Sequence, residues 1–151
     1  MAFVNRTLAA AALAAAAFVG AALAHSGATG VVKSRMEGMK EMSHAAKALG
    51  ALRAGAIPYS PDVVRRAAAA LSRHGEEAKT LFPEGSLFGP SEALPAIWTD
   101  RAGFDRILDD LIAAAKRLDA AADDEAAYPD AATAVAETCK SCHSKYRKKK
   151  L

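Results

Sequence analysis

The chain has 151 residues, of which 52% are hydrophobic, 25% are charged and 6% are aromatic, and its formal net charge is +3. This length suits one domain with a buried core. Abundant alanine and few β-branched residues favour helix over sheet, and the modest charge argues against a protein that binds nucleic acid.

The first 24 residues have the pattern of a secretory signal peptide. A short positive segment ends at Arg6, an alanine-rich apolar run follows, and Ala22-Leu23-Ala24 is an A-x-A cleavage site. The alternative is an uncleaved membrane anchor, but the apolar run is short for one and ends in a cleavage motif. We therefore predict a signal peptide over 1–24 and a soluble, exported domain over 25–151.

Two amphipathic helices are predicted in the first half of that domain. From Val31 to near Gly55, the residues on one face recur at steps of three and four, and Arg35 is the single charge among them. The members of this stripe are Val32, Arg35, Met39, Met42, Ala46 and Leu49. A capping serine and a proline, Ser60-Pro61, begin a second helix that should end near Thr80.

Residues 82–98 contain turn signals but are too apolar to be free, so we expect this segment to lie across the bundle and cover part of it. Thr99 or Asp100 can cap a third helix, and Tyr128-Pro129-Asp130 begins a fourth. The apolar face of the third helix comprises Phe104, Ile107, Leu108, Leu111, Ala115 and Leu118. Four amphipathic helices with mostly short links predict an all-α, antiparallel four-helix bundle.

The last predicted helix contains the pentapeptide Cys139-Lys140-Ser141-Cys142-His143, which holds the only two cysteines of the chain. C-x-x-C-H is the attachment signature of a c-type haem. Positions three apart share a helix face, so both thiols can reach the two vinyl groups on one edge of the porphyrin. His143 can turn its imidazole under the iron as an axial ligand. We predict one covalent haem c on the last helix.

Other interpretations of the two cysteines fit less well. Export permits a disulfide, but a thioredoxin-type C-x-x-C needs a βαβ context, which is absent here. A zinc site needs four ligands, and the other histidines are scattered along the chain. Of these, His44 and His74 are expected at the surface or at a helix edge.

The mature chain resembles the cytochrome c′ family, the four-helix-bundle class of c-type cytochromes, together with its low-spin relatives. The resemblance rests on the C-terminal position of the haem motif and on residues 139–149 around it. Ile97-Trp98 followed by Phe104 is similar to the family's entry into the third helix. Lys33-Ser34-Arg35, with Met39 four residues later, is similar to its first-helix motif.

The resemblance implies a role for each residue around the haem. Cys139 and Cys142 would hold the haem, and His143 would be the proximal iron ligand. Arg35 would lie near a propionate, and Arg147 would lie near the proximal histidine. Met39 would lie over the distal face of the iron.

Met39 and Arg35 each have an ordinary structural alternative. Methionine at helical spacing often only fills a core; Met39 could also ligate the iron, or cap an open five-coordinate iron without binding it. Ligation is favoured because methionine is the one apolar side chain that can coordinate. Arg35 could snorkel to water, but a propionate would offset the cost of burying its charge.

Two functions follow from these alternatives. The first is one-electron transfer in the bacterial periplasm with a redox partner protein. The basic run at residues 145–150 is expected to be a solvated helix end, and steering of an acidic partner is the less favoured alternative. The second is binding of nitric oxide or carbon monoxide at an open iron, as a scavenger or carrier. An enzyme is not expected, because the pocket offers no distal general base. The resemblance also implies a possible homodimer, and alanines expected on outer faces would permit close approach, namely Ala45, Ala48 and Ala67 to Ala70.

Overall fold

The computed structural model describes residues 27–149, so the predicted signal peptide and cleavage site lie outside the described residues. Its helices are α1 (Gly30–Arg53), α2 (Pro61–Ala78), the single turn α3 (Ala96–Thr99), α4 (Arg101–Ala120) and α5 (Tyr128–Tyr146). α2 packs against α1 and α4, and α4 packs against α5. The four long helices form the predicted antiparallel bundle. Within 27–149, none of the helices combines the length and the apolar character that crossing a membrane requires.

A left-handed glycine ends α1, as the sequence predicts. Gly55 has a φ of +66°. Its N–H donates to the carbonyl of Leu52 at 3.0 Å, and the N–H of Ala56 donates to the carbonyl of Ala51 at 2.9 Å. This pair of bonds is the Schellman motif, which satisfies carbonyls that the helix leaves open.

The start of α2 agrees with the predicted position but not with the predicted cap. Pro61 occupies the first turn, yet the side chain of Ser60 makes no capping hydrogen bond. The carbonyl of Ser60 instead accepts from the N–H groups of Val63 and Val64. The fixed φ of proline therefore does more for this helix start than the serine hydroxyl.

The basic C-terminal run does not continue the last helix. α5 ends at Tyr146, and Arg147 is extended, with a φ of −120° and a ψ of 140°. Arg147 forms an isolated antiparallel bridge with Ala93, which lies in the segment before α3. The backbone groups at this point pair with the segment before α3 instead of with a further helical turn, through Leu94 N–H to the carbonyl of Tyr146 and Lys148 N–H to the carbonyl of Glu92.

Two apolar clusters make up the core. The first lies among the four long helices and includes Leu71, Ala115 and Leu118. The second lies at the end of the bundle where α5 finishes, and it includes Phe82 and Ile97. The segment 82–98 thus covers part of the core, as predicted. Phe88 departs from that expectation, because 51% of its surface is exposed.

Several alanines lie on faces that the sequence did not reveal. Ala45, Ala67 and Ala68 are buried in the first cluster, although they were expected on outer faces, and Ala46 of the predicted stripe is exposed. A run of identical small residues has no hydrophobic period, so its inner face cannot be read from the sequence. Alanine on an outer face therefore no longer supports a homodimer at these positions.

Candidate haem site

Cys139 and Cys142 lie one turn apart on α5, where both are half-buried free thiols. Cys139 packs against the first core cluster and Cys142 against the second, so the pair marks the junction of the two. Burial raises the pKa of both thiols, and that of Cys142 reaches about 11. Such thiols are poor redox nucleophiles, which disfavours a thioredoxin-type role.

His143 follows the second cysteine directly and is exposed on α5. Partial desolvation by the surrounding protein lowers its pKa, and the charge of Arg147 lowers it further, while Glu92 acts in the opposite direction. The neutral imidazole is the form that ligates a metal. The local electrostatics therefore favour the ligand form of this side chain.

α1 and α5 complete the ring of four long helices, but they touch each other at few positions. The other neighbouring pairs pack along much of their length. We call the sparse contact between α1 and α5 the α1–α5 seam. Met39 on α1 is half buried and packs against the same cluster as Cys139 on α5. The two sides of the seam thus contribute the predicted distal residue and a predicted attachment residue.

Arg35 points into the protein, so the snorkelling alternative is wrong. Its side chain is only 6% exposed, and its guanidinium lies 4.2 Å from the ring centroid of Phe82. It donates to Ser86 and Ser91. Among the described residues, its Nε has no hydrogen-bond partner and no carboxylate pairs with it. Burial lowers its pKa.

The surroundings of Arg35 fit a bound group with a carboxylate. A buried cation without a counter-ion is costly, and a donor left unpaired adds to that cost. A haem propionate would supply both the negative charge and an acceptor. The two thiols and the adjacent imidazole supply the remaining donors for haem c, so the residues present fit that group.

Arg147 contacts Glu92, with 2.7 Å between its Nε and the carboxylate oxygen Oε2. Its charge is close enough to His143 to lower the pKa of the imidazole. The pair lies at the point where α5 ends, on the same end of the bundle as the second cluster. This placement accords with the role that the resemblance implies for Arg147.

His74 is the residue whose environment the sequence misjudged most. It is only 7% exposed, not at the surface, and its Nδ1 lies 2.7 Å from Oε2 of Glu77. Its Nε2 has no partner among the described residues. It fits between α1 and α2 because Gly38 presents no side chain; a Cβ there would lie 3.3 Å from Nδ1. The residues next to His74 in the sequence are mostly polar and do not predict burial. The signal for its buried position is Gly38, which lies on another helix.

Comparison with known proteins adds to this picture. Residues 30–147 match the family model described as Cytochrome C′. Cytochrome c′ from Rhodopseudomonas palustris is 35% identical over 123 residues, covering 81% of this chain and 84% of that protein. A solved structure of cytochrome c′ from Rhodopseudomonas palustris has a TM-score of 0.78 at 34% identity, covering 82% of this chain and all of that one. A mutant of cytochrome c prime from Alcaligenes xylosoxidans was solved as a nitric oxide complex. It has a TM-score of 0.71 at 28% identity, covering 80% of this chain and 94% of that one.

Proposed function

This chain belongs to the cytochrome c′ family, whose cofactor is covalent haem c, and we propose that it is a periplasmic one-electron carrier and not an enzyme. Cys139 and Cys142 hold the haem through thioether bonds, and His143 is the proximal ligand of the iron. Met39 is the distal ligand. When bound, the haem supplies an iron that is oxidised and reduced by one electron.

The α1–α5 seam is the observation that supports this proposal. Met39 borders the first cluster from α1, and Cys139 borders the same cluster from α5. Methionine is an established axial ligand of c-type haem and raises its reduction potential. His143 and Met39 would hold the haem from the two sides of the seam, and both would do so in either oxidation state. Electron transfer then needs little rearrangement of the protein.

Arg35 and Arg147 act on the electrostatics of the site. Arg35 is buried and has no carboxylate partner among the described residues, so its positive charge would act on the bound haem and its propionate through a medium of low dielectric constant. A nearby cation disfavours the ferric state, which carries the extra positive charge. Arg147 is paired with Glu92, which reduces its effect at a distance. Arg35 is therefore the stronger determinant of the reduction potential.

A second candidate is binding of a diatomic gas at a five-coordinate iron, with Met39 as an apolar cap. The observation that favours it is the similarity to the cytochrome c prime from Alcaligenes xylosoxidans, a mutant of which forms a nitric oxide complex. In that case the protein carries or scavenges nitric oxide or carbon monoxide. The two candidates differ in whether Met39 occupies the sixth coordination position.

The absorption spectrum of the ferric holoprotein at neutral pH separates them. We expect a low-spin spectrum in the wild type and a high-spin spectrum in Met39→Ala. Met36→Ala is the matched control, since Met36 lies on the same helix but is 43% exposed, and this variant should stay low-spin. A high-spin wild type would overturn ligation by Met39 and favour gas binding.

Export and assembly are tested on the protein recovered from a bacterial host. Mass spectrometry of the periplasmic fraction should find a chain that begins at His25. A chain that begins at Met1 and sediments with membranes would overturn the signal peptide. A redox partner and a homodimer remain predictions, and sedimentation of the purified holoprotein tests the latter.

A further inference from the structure

Residues 82–94, here called the strap, are fastened to α1 by Arg35. Its Nη1 donates to Oγ of Ser91 at 3.2 Å, and its Nη2 donates to the carbonyl and to Oγ of Ser86 at 3.1 and 3.0 Å. The hydroxyl of Ser86 donates in turn to the carbonyl of Pro83 at 2.6 Å. Both serines are buried, so water does not compete for these bonds.

The other end of the strap is fastened to the end of α5. The N–H of Leu94 donates to the carbonyl of Tyr146 at 2.9 Å, and the N–H of Lys148 donates to the carbonyl of Glu92 at 2.8 Å. The side chain of Glu92 accepts from Arg147 as well. Two backbone bonds and an ion pair thus join the strap to the last residue of α5 and to the residues that follow it.

A line of side chains in contact, with two edge-to-face ring pairs, follows the same route through the core. The guanidinium of Arg35 lies over Phe82, whose ring centroid is 5.0 Å from that of Phe104. The ring of Phe104 lies 5.3 Å from that of Tyr146, edge to face. Contacts of this kind add to the free energy of burial. The strap is therefore linked to both helices through apolar as well as polar contacts.

Because α1 and α5 touch so little, the strap is the main connection between them at this end of the seam. Met39 lies one turn after Arg35 on α1, and His143 lies four residues before Arg147. We propose that Ser86, Ser91 and Glu92 are positioning residues that set the separation of α1 and α5, and thereby the access of Met39 to the haem iron. This inference rests on the proposed haem site and deepens it.

Loss of the contacts of the strap with Arg35, or of its contacts with the end of α5, should let α1 and α5 move apart. The distal side of the iron would then open more often, because no extensive contact between α1 and α5 replaces the strap. Met39 would ligate the iron in a smaller fraction of molecules, and an added gas would reach the iron faster. Neither effect requires a change in the ligands themselves.

The test compares two variants of the strap with two controls as holoproteins. Ser86→Ala with Ser91→Ala removes the hydroxyls that Arg35 contacts, and Glu92→Gln removes the ion pair. The matched controls are Ser34→Ala, whose hydroxyl donates to the carbonyl of Gly30 within α1, and Glu137→Gln, whose carboxylate pairs with Lys140 within α5. Glu92 is half exposed, so its variant folds even if the buried serine pair is not tolerated.

The readouts are the high-spin fraction of the ferric protein and the association rate of carbon monoxide with the ferrous protein. We expect the association rate to rise about five- to tenfold in the strap variants, the factor that corresponds to the net contribution of one ordinary hydrogen bond. The controls should change it less than twofold. Equal rates in the strap variants and the controls would overturn the proposal.

The rate of carbon monoxide binding separates this inference from the assignment of Met39. A wild type that is already high-spin shows that Met39 does not ligate the iron, but a faster rate in the strap variants still supports the strap. The other outcome is a low-spin wild type whose strap variants bind carbon monoxide no faster than the controls. Ligation by Met39 then stands, and the positioning role of Ser86, Ser91 and Glu92 is wrong.

Discussion

The hydroxyl of Tyr146 donates a hydrogen bond of 2.6 Å to Oδ2 of Asp100, which joins the end of α5 to the start of α4. Oδ1 of the same carboxylate accepts from the N–H of Gly103 and so caps α4. The bond from Tyr146 lowers the pKa of Asp100. Since Tyr146 lies three residues after His143 on α5, this contact holds the helix end that carries the proposed proximal ligand.

The Tyr146→Phe variant should lose this bond and keep the packing of the ring on Phe104. We expect the free energy of unfolding to fall at neutral pH, because the buried side chain of Tyr146 loses its hydrogen bond to the exposed carboxylate of Asp100. Chemical unfolding of the wild-type and variant holoproteins measures the difference. A variant as stable as the wild type would show that the bond contributes nothing net.

The contact between Tyr146 and Asp100 also predicts that the stability of the protein depends on pH in the alkaline range. Burial, with the bond to Asp100 as a second cause, raises the pKa of Tyr146 from 10.0 to about 12. A group with a raised pKa contributes its full stability below the unfolded value and loses it as the pH rises towards the folded value. The stability difference between wild type and Tyr146→Phe should therefore be constant up to about pH 9 and shrink from there to about pH 12. A difference that persists at the upper end would contradict this assignment.

Covalent attachment is predicted to depend on the two thiols alone. The double variant Cys139→Ala with Cys142→Ala should give no haem-stained band on a denaturing gel when made in a host that attaches haem. Ser141→Ala, between the two thiols, should stain like the wild type. A stained band from the double variant would show that the haem is held elsewhere in the chain.

Much of the bundle follows from the sequence because its signals are local. The stop at Gly55, the proline in the first turn of α2 and the cap at Asp100 each depend on residues within one turn of the boundary. The C-x-x-C-H motif is equally local. These features involve neighbours in the chain, and a sequence pattern records such neighbours directly.

The position of the strap across the bundle was predictable, but its individual contacts and the interior of α2 were not, because those contacts join distant parts of the chain. Ser86 and Ser91 follow glycine and proline turns and look like ordinary loop residues, yet both contact Arg35, more than 50 positions earlier. His74 looks polar and exposed but fills space beside Gly38. Tertiary packing overrides the local pattern in each case.

Removal of the buried charge of Arg35 should lower the reduction potential of the holoprotein. Arg35→Met keeps the length of the side chain and removes a cation that disfavours the ferric state. Lys40→Met is the control, since Lys40 is exposed on the same helix and its charge is screened by solvent and salt. Potentiometric titration measures both. Equal potentials in the two variants would contradict a special role for Arg35.

The last prediction concerns the contact between α2 and α4, where Gly75 lets the two helices approach. A Cβ on Gly75 would lie 3.1 Å from Cγ1 of Ile112, whereas a Cβ on Gly50 of α1 would meet nothing within 4 Å. Alanine in place of a helical glycine adds about 0.5–1 kcal/mol of stability where space permits. Gly50→Ala should therefore stabilise the protein by that amount.

Gly75→Ala gains the same helical preference but crowds Ile112, and overpacking in a core costs about 1–3 kcal/mol. We expect this variant to be about 1 kcal/mol or more less stable than Gly50→Ala when both are unfolded by urea. Equal stabilisation by the two substitutions would mean that α2 and α4 can separate by a few tenths of an ångström at no cost. The glycine would then be incidental to the packing of the two helices.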